Sequence, residues 1–465
     1  MPDFSTILQA PDIRALVQEN ILERAFHDAL FPRLLFRGEA SPVLWPANVG
    51  DSMVFTGVGL IRPKLRPLMP GDDPIPSDYT KEQWSAQLQQ YADSIDSHMP
   101  SSIVAIASLF YRNSQQMGLS AGQTLNRLPR NRMYNAALSG QTVADGTQAS
   151  SVTIRVKRLN GLTRARRPDL AAGSPVKFDT VTTSNPLSVS ITALTTLRNI
   201  VGFTPDTAGD EVGPGTITLS AAIAVTDRDL VIASDRSFIH RVGGGNRVDD
   251  VGAADVLTLA DIRTVVAHAR QNSVPPMPDG RYHFHLDPVS ETQIYADAEF
   301  GRLLTSLPDY YMYRDFAIGE LLGNVFFRNT ECPQISTVED GETAVFTQDD
   351  PFAGELFNTG LTTGVQIHRP LLVGQGGVLE YYQDLSQLIT EAGVVGKIGA
   401  ASITNNGIEV NTDRIHLIIR APLNRLQDKV ATSWKFIGDW PVRTDVTSGD
   451  VSRFKRLIAI EHGSA

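Results

Sequence analysis

A single cysteine, Cys332, stands among 465 residues. No disulfide can close within such a chain, and this cysteine usage fits a reducing compartment. Long apolar runs are missing as well. The most apolar stretch, Ile103 to Tyr111, falls far short of the ~20 residues a membrane helix needs. The opening residues, MPDFSTILQAPDIRALVQE, carry acids where a secretory signal needs a basic start and an apolar centre. The expectation is a soluble protein made in the cytoplasm, with no membrane partner. There is no zinc-ligand spacing, P-loop, kinase signature or fixed-period repeat in the chain, so catalytic, cofactor-binding and metal residues are all expected to be absent.

What is present describes an ordered globular chain: hydrophobic residues make up 42% and charged residues 20%, enough apolar material for a core. The length suits about three average domains, or one elaborate domain with insertions. Lys and Arg total 41 against 51 Asp and Glu, a net charge of −10, which disfavours indiscriminate coating with nucleic acid. The charge is unevenly spread. Between Ser101 and Pro168 stand Arg112, Arg127, Arg130, Arg132, Arg155, Lys157, Arg158, Arg164, Arg166 and Arg167, with Asp145 the one acid. That window carries +9 and leaves −19 for the rest of the chain. Such a run is either a set of solvated faces paired with acidic neighbours, or a surface turned toward phosphate or an acidic adjoining subunit.

From Pro11 to Leu35 an apolar stripe runs through Ile13, Val17, Ile21 and Ala25, widened by Phe26 and Ala29, which predicts a helix. An extended segment follows, from Gly38 to about Tyr79. Its Pro63, Pro67, Pro70, Pro74 and Pro76 remove backbone donors and argue against a central strand after Arg62. Ser52 to Leu60 reads as one strand of a long hairpin or loop. Lys81 to Asp96 shows helix-compatible spacing of Trp84, Leu88, Tyr91 and Ile95. Ser101 to Leu138 predicts a long helix, free of acids and interrupted at most near Gly118, Gly122 and Pro129. From Val143 to about Ala254, short Thr/Val/Ser-rich segments such as SVTIRVKRL and GTITLSAAIAV alternate with turn residues, which predicts strands.

Thr258 to Asn272 predicts a helix buried through Ile262, Val265, Val266 and Ala269, with Thr258 and Asp261 resembling a capping box. GRYHFHLDP and LLGNVFFRNTECP read as strands around a helical Ser290–Leu304. The region after Thr343 is strand-dominated, broken by a helix-like stretch near Gln383 to Ala392.

Few residues suggest chemistry. Gly118-Leu-Ser120-Ala-Gly122 matches a nucleophile elbow, but no strand pattern precedes it, as that motif requires. Ser452-Arg-Phe-Lys455 lacks supporting motifs. His283, His285 and Asp287 share one face of a strand and form a conceivable metal set. Their neighbours Tyr282, Phe284 and Leu286 are expected to face the core, leaving the histidines on the polar side, a solvated or hydrogen-bonded face. The glycines of Gly243-Gly-Gly245 and Gly374-Gln-Gly376-Gly377 read as turns. Tyr310, Tyr311, Tyr313 and Phe316 read as packing for a helix end or subunit contact.

The order of parts resembles the major capsid proteins of tailed bacteriophages, the Hong Kong 97-like coat fold. VGDSMVFTGVGLIRPKLRPLMPGDDPIPSDYTKEQWSAQLQQYADSIDSH looks like that family's extended loop and the entry to its spine helix. DGRYHFHLDPVSETQIYADAEFGRLL, with IGELLGNVFFRNTECP, resembles its peripheral-to-axial core, and PLNRLQDKVATSWKFIGDWPVRTD its closing strands.

The resemblance implies an α+β fold: an N-terminal arm (1–40), an extended loop (41–80), the spine helix and start of the peripheral domain (81–142), a β-rich insertion (143–256), and peripheral and axial domains (257–465). It implies self-assembly into pentamers and hexamers that close an icosahedral shell around double-stranded DNA without sequence-specific contacts. A portal and a decoration or cement protein would be further partners. The setting would be the virion capsid, assembled in the host cytoplasm, with no enzymatic activity and no cofactor. On that reading Arg112, Arg127, Arg130, Arg132, Arg155, Lys157 and Arg158 are candidates for DNA-facing or inter-subunit contact. Arg62, Lys64, Arg66, Asp72 and Asp73 are candidate contacts of the loop. An encapsulin-like cellular compartment is the alternative, followed by a β-rich tail or adhesin protein, and by a hydrolase resting on GLSAG alone.

Overall fold

The computed structural model describes residues 26, 29, 35–46, 49–58, 64–65, 67–74, 81–98, 109–166, 178–191, 196–209, 211–227, 229–234, 236, 238–245, 250–272, 274–305, 320–321, 323–332, 334–336, 365–383, 397–398, 401–404, 407–412, 415–420, 429–442 and 456–464. The fold is α+β, and the chain divides into two units assembled from interleaved segments. The first takes Met1–Met53, Ser85–Arg130 and Leu379–Pro441; the second takes Val54–Trp84, Asn131–Val378 and Val442–Ala465. No helix among the described residues is long and apolar enough to cross a membrane.

In the first unit an eight-stranded sheet centres on Lys429–Asp439. Gln89–His98 lies antiparallel to it, in register from Gln89 opposite Gly438 to His98 opposite Lys429. This corrects the helix expected over Lys81 to Asp96: the structure has strands at Lys81–Gln87 and Gln89–His98. The three- and four-residue spacing of Trp84, Leu88, Tyr91 and Ile95 is a weak local preference, and ten consecutive pairings with a strand from the far end of the sequence override it. The aromatic side chains serve the sheets instead. Tyr91 packs on Trp440 at 5.7 Å between ring centroids, and Trp84 stacks on Phe55 of Ser52–Val58, the strand it pairs across, at 6.2 Å. Trp434, Phe436 and Trp440 are buried here, and Arg37 lies 5.4 Å over the Phe436 ring while pairing with the buried Glu380 at 2.7 Å.

The long helix spans Leu109–Ala137 without a break, through Gly118, Gly122 and Pro129. The interruptions allowed for by the sequence do not occur. An interior proline costs a helix about 3 kcal/mol, and packing offsets it here: Met117, Ala121, Leu125 and Met133 are all buried. Gly118 has a specific duty. A Cβ at that position would stand 2.4 Å from the carbonyl oxygen of Phe26, so only glycine permits this approach of backbones. Phe26 is helical and fully buried, as its place in the predicted stripe requires. The rest of that N-terminal stripe, the stretch 383–392 after Tyr382, and Tyr310 to Phe316 lie outside the described residues, apart from Ala29, which is helical, and Gln383, which is not.

In the second unit a six-stranded sheet runs in the order Gln141–Val143, Leu230–Ala233, Leu187–Ile191, Thr196–Pro205, Gly215–Val225, Gln148–Val156. Alternation decides which face is inside: Leu187, Val189 and Ile191 are buried and the serines between them are partly exposed. A separate eight-stranded sheet carries the remaining core. Its strand Tyr282–Leu286 runs parallel to Asn324–Arg328 and antiparallel to Leu371–Val373. The strand Leu457–Ser464 pairs with Leu371–Val373, with Gln366–His368 and with Ile239–Arg241. The helix Leu259–Gln271 buries Ile262, Val265, Val266 and Ala269 in the same cluster as Phe284, Leu372, Ile458 and Ile460 of this sheet. Thr258 and Asp261 form the expected capping box at its start.

Candidate functional site

The arm proposed from the sequence is bounded by the two-stranded ribbon of Ser52–Val58 and Lys81–Gln87. Its described residues between the strands, 64–65 and 67–74, hold no regular structure and are all exposed. Met69-Pro70-Gly71-Asp72 makes a turn in which the Asp72 N–H donates to the Met69 carbonyl at 3.1 Å and Gly71 takes φ +100°. Proline then glycine with positive φ is the signature of a type II turn. Leu65 is 89% exposed and Met69 74%. Lys64, Asp72 and Asp73 are exposed on the same segment, while Arg62 and Arg66 lie outside the described residues.

The basic residues differ in exposure and in their partners. Arg112 and Arg132 are exposed and Arg127 half-buried, all on the long helix. Arg130 and Arg158 are buried among their own chain, so neither faces solvent as a candidate for DNA contact must. Arg158 donates to Asn135 Oδ1. Arg155 pairs with Asp145 at 2.8 Å and with Asp206 at 2.6 Å, and Lys157 also pairs with Asp145. Burial works to raise the Asp145 carboxyl, yet Lys157 and Arg155 beside it hold it below its ordinary value. The window's one acid is therefore the anchor of two of its bases.

The GLSAG serine lies within the long helix, where Ser120 Oγ donates to Asp93 Oδ2 at 2.9 Å; no nucleophile elbow is present. The expectation for HFHLD also needs correction. His283 is half-buried beside Asp279 at 3.1 Å, but His285 and Asp287 are fully buried rather than on a solvated face. Both faces of this strand are covered, so alternation does not sort polar from apolar there. His285 stacks on Phe327 and Asn329 meets its Nδ1 at 3.2 Å. No group of three or more potential metal ligands gathers among the described residues.

Asp287 belongs to a cluster that sequence reasoning missed. It caps the helix Pro288–Ala296, accepting from the Val289 N–H at 3.3 Å. Its Oδ2 lies 2.7 Å from His368 Nδ1, and its Oδ1 accepts from the Ser290 hydroxyl. With that proton given to Asp287, Ser290 Oγ accepts from His462 Nε2 at 2.6 Å. The His368 and His462 rings stack at 5.3 Å, and His368 Nε2 is 2.9 Å from Ser464 Oγ. Asp287, Ser290, His368 and His462 are all fully buried.

Next to this cluster along the strand, Glu461 accepts from Arg241 Nε at 2.7 Å and from Arg369 Nε at 2.9 Å, with all three side chains enclosed. Burial alone would raise the Glu461 carboxyl; the two guanidinium charges hold it down. The Arg369 carbonyl accepts from Tyr134 Oη at 2.6 Å.

This arrangement does not make a hydrolytic triad. Such a triad needs an accessible hydroxyl and a carboxylate behind the base, whereas Ser290 is enclosed and Asp287 touches the serine and the other histidine. What the groups do is tie three elements together: the helix Pro288–Ala296, the strand Gln366–His368 and the strand Leu457–Ser464. Ser290 and His462 stand 172 residues apart, and nothing in local spacing marks them as partners. Only the Asp287-Pro288 helix-start signal was readable.

No family model matches the chain, and no curated protein matches it. Solved structures do resemble it. The capsid asymmetric unit of cyanophage Pam1 matches with a TM-score of 0.48 and 12% identity, over 94% of this chain and 92% of that one. The capsid structure of cyanophage P-SCSP1u matches with a TM-score of 0.47 and 9% identity, over 93% and 89%. The acidic stable capsid structure of Helicobacter pylori bacteriophage KHP30 matches with a TM-score of 0.45 and 9% identity, over 92% and 91%. With TM-scores of 0.45 to 0.48, these are resemblances along most of the chain and nothing more.

Proposed function

We propose that this chain is a shell-building subunit, a major capsid protein of the tailed-phage type, which assembles into pentamers and hexamers around double-stranded DNA. The observation that carries the reading is the arm. Leu65, Leu68 and Met69 stand exposed on an irregular, proline-rich segment, and apolar side chains on a segment with no core of its own are stabilised by a surface supplied from elsewhere. A neighbouring copy is that surface: head-to-tail contacts close into rings when each subunit offers an arm on one side and a receiving body on the other. The block resemblance in the sequence supports the same reading.

In this reading residues 1–40 are the N-terminal arm, 41–80 the extended loop, 81–142 the spine helix and start of the peripheral domain, 143–256 a β-rich insertion domain, and 257–465 the peripheral and axial domains. Lys64, Asp72 and Asp73 sit at the loop contact. Arg112, Arg127 and Arg132, at least partly exposed on the long helix, are the basic residues placed at a contact with a neighbour or with DNA. The place of action is the virion shell, assembled in the host cytoplasm, with a portal and a decoration protein as further partners.

The full chain, purified and viewed by negative-stain microscopy with parallel sedimentation, is expected to give closed shells or capsomer rings. Replacing Leu65, Leu68 and Met69 together by serine is expected to abolish them while leaving the unfolding midpoint of the dissociated subunit unchanged. A wild-type chain that stays a 50.6 kDa monomer at every ionic strength would overturn the proposal.

A further inference from the structure

We propose that the Asp287–Ser290–His462–His368 cluster is a proton-released latch, which fastens the strand Leu457–Ser464 to the helix Pro288–Ala296 and lets go in mild acid. The latch lies within one subunit and does not depend on the shell reading. Its geometry disfavours a charged His462, whose added proton would fall on the enclosed Nδ1. The ring is fully buried and stacked on His368, and its Nε2–H is already given to Ser290.

The carboxylates that face it are engaged elsewhere. Asp287 takes His368 and the Ser290 hydroxyl. Asp261, on the helix Leu259–Gln271, takes His240 at 2.9 Å and the Thr258 hydroxyl at 2.5 Å. Beside His462 on its own strand, Glu461 is held by Arg241 and Arg369. A proton added to His462 therefore meets a low-dielectric site and a second imidazole, with the local carboxylates already in use. Burial first, then the charge of His368, pushes the His462 imidazole down to about 4, against the pull of Asp287 in the other direction.

The sign follows from linkage. An unfolded or detached histidine takes its proton near ~6.5, whereas the latched one resists to about 4. Between those values the open state binds more protons, so the fastening weakens as pH falls through that window. Asp287 acts lower: burial raises its carboxyl, but His368, Ser290 and His462 hold it below its ordinary value, so its contribution is lost only in stronger acid. Gln293 adds a bond that does not titrate, from Nε2 to the Gly463 carbonyl at 2.9 Å.

Amide hydrogen exchange on the full chain at pH 7.5 and 5.0, corrected for intrinsic rates, tests the latch without any variant. Residues 457–464 and 366–368 are expected to lose protection at least ~10-fold at the lower pH, while the six-stranded sheet keeps its own. Equal protection of residues 457–464 at both values would overturn the proposal. His462→Gln, which keeps a neutral donor toward Ser290, is expected to remove most of the difference. His283→Gln is expected to preserve it. A His462→Gln strand that loosens with acid as much as the wild type would equally sink the assignment.

Discussion

Two sheets of the second unit handle charge in opposite ways. The six-stranded sheet keeps its ions at the rim: Arg155, Asp145 and Asp206 are partly exposed, over a core of Ile154, Val156, Leu187, Val189 and Ile217. The eight-stranded sheet takes Arg241, Arg369, Glu461, His368, His462 and Asp287 inside. Exposed pairs in water are worth about 0–1 kcal/mol. A buried pair gains little when intact, but breaking it strands a charge and costs about 3–5 kcal/mol. The first sheet is expected to tolerate the loss of its ions, and the second to depend on them.

That contrast is open to direct attack. Glu461→Ala leaves Arg241 and Arg369 facing each other without a carboxylate, and is expected to destabilise the subunit by about 3–5 kcal/mol in denaturant unfolding. A loss below about 1 kcal/mol would show that the eight-stranded sheet is no more committed to its charges than its neighbour. Gly118→Val probes crowding instead of charge: with the Phe26 carbonyl 2.4 Å from the new Cβ, a fall in stability of about 1–3 kcal/mol is expected. Thr258→Ala removes the cap of the helix that covers the eight-stranded sheet, with an expected cost of ~1 kcal/mol on the same measurement. Smallest is Asp145→Ala on the rim of the six-stranded sheet, at about 0.2–1 kcal/mol and shrinking with added salt. If Asp145→Ala proved as damaging as Glu461→Ala, the distinction between the sheets would collapse.

The sequence was readable where structure is local. Thr258 and Asp261 announce a helix start through bonds that span three residues. Leu187, Val189 and Ile191 announce a half-buried strand by alternation. Reading failed where a partner lies far along the chain. Gln89–His98 takes its conformation from Lys429–Asp439, so its own spacing misled. The basic window leaves two readings open, faces paired with acids or one surface turned outward; among its members Arg130 and Arg158 turn inward, and Asp145 takes up Arg155 and Lys157. By alternation His285 and Asp287 fall on a solvated or hydrogen-bonded polar face; they are hydrogen-bonded but buried, because alternation assumes one wet side and both sides of this strand are covered.

The strand Leu457–Ser464 has a consequence in time. Its Glu461 closes an ion pair with Arg241 across 220 residues of sequence. At ribosomal rates of roughly 5–20 residues per second, Arg241 waits about 10–45 s for that partner to be made. Throughout that interval the eight-stranded sheet lacks a strand that pairs with three others, and Arg241, joined later by Arg369, lacks its counter-charge. The eight-stranded sheet is thus completed only after the segment holding Glu461 has been made, however early its other strands have formed.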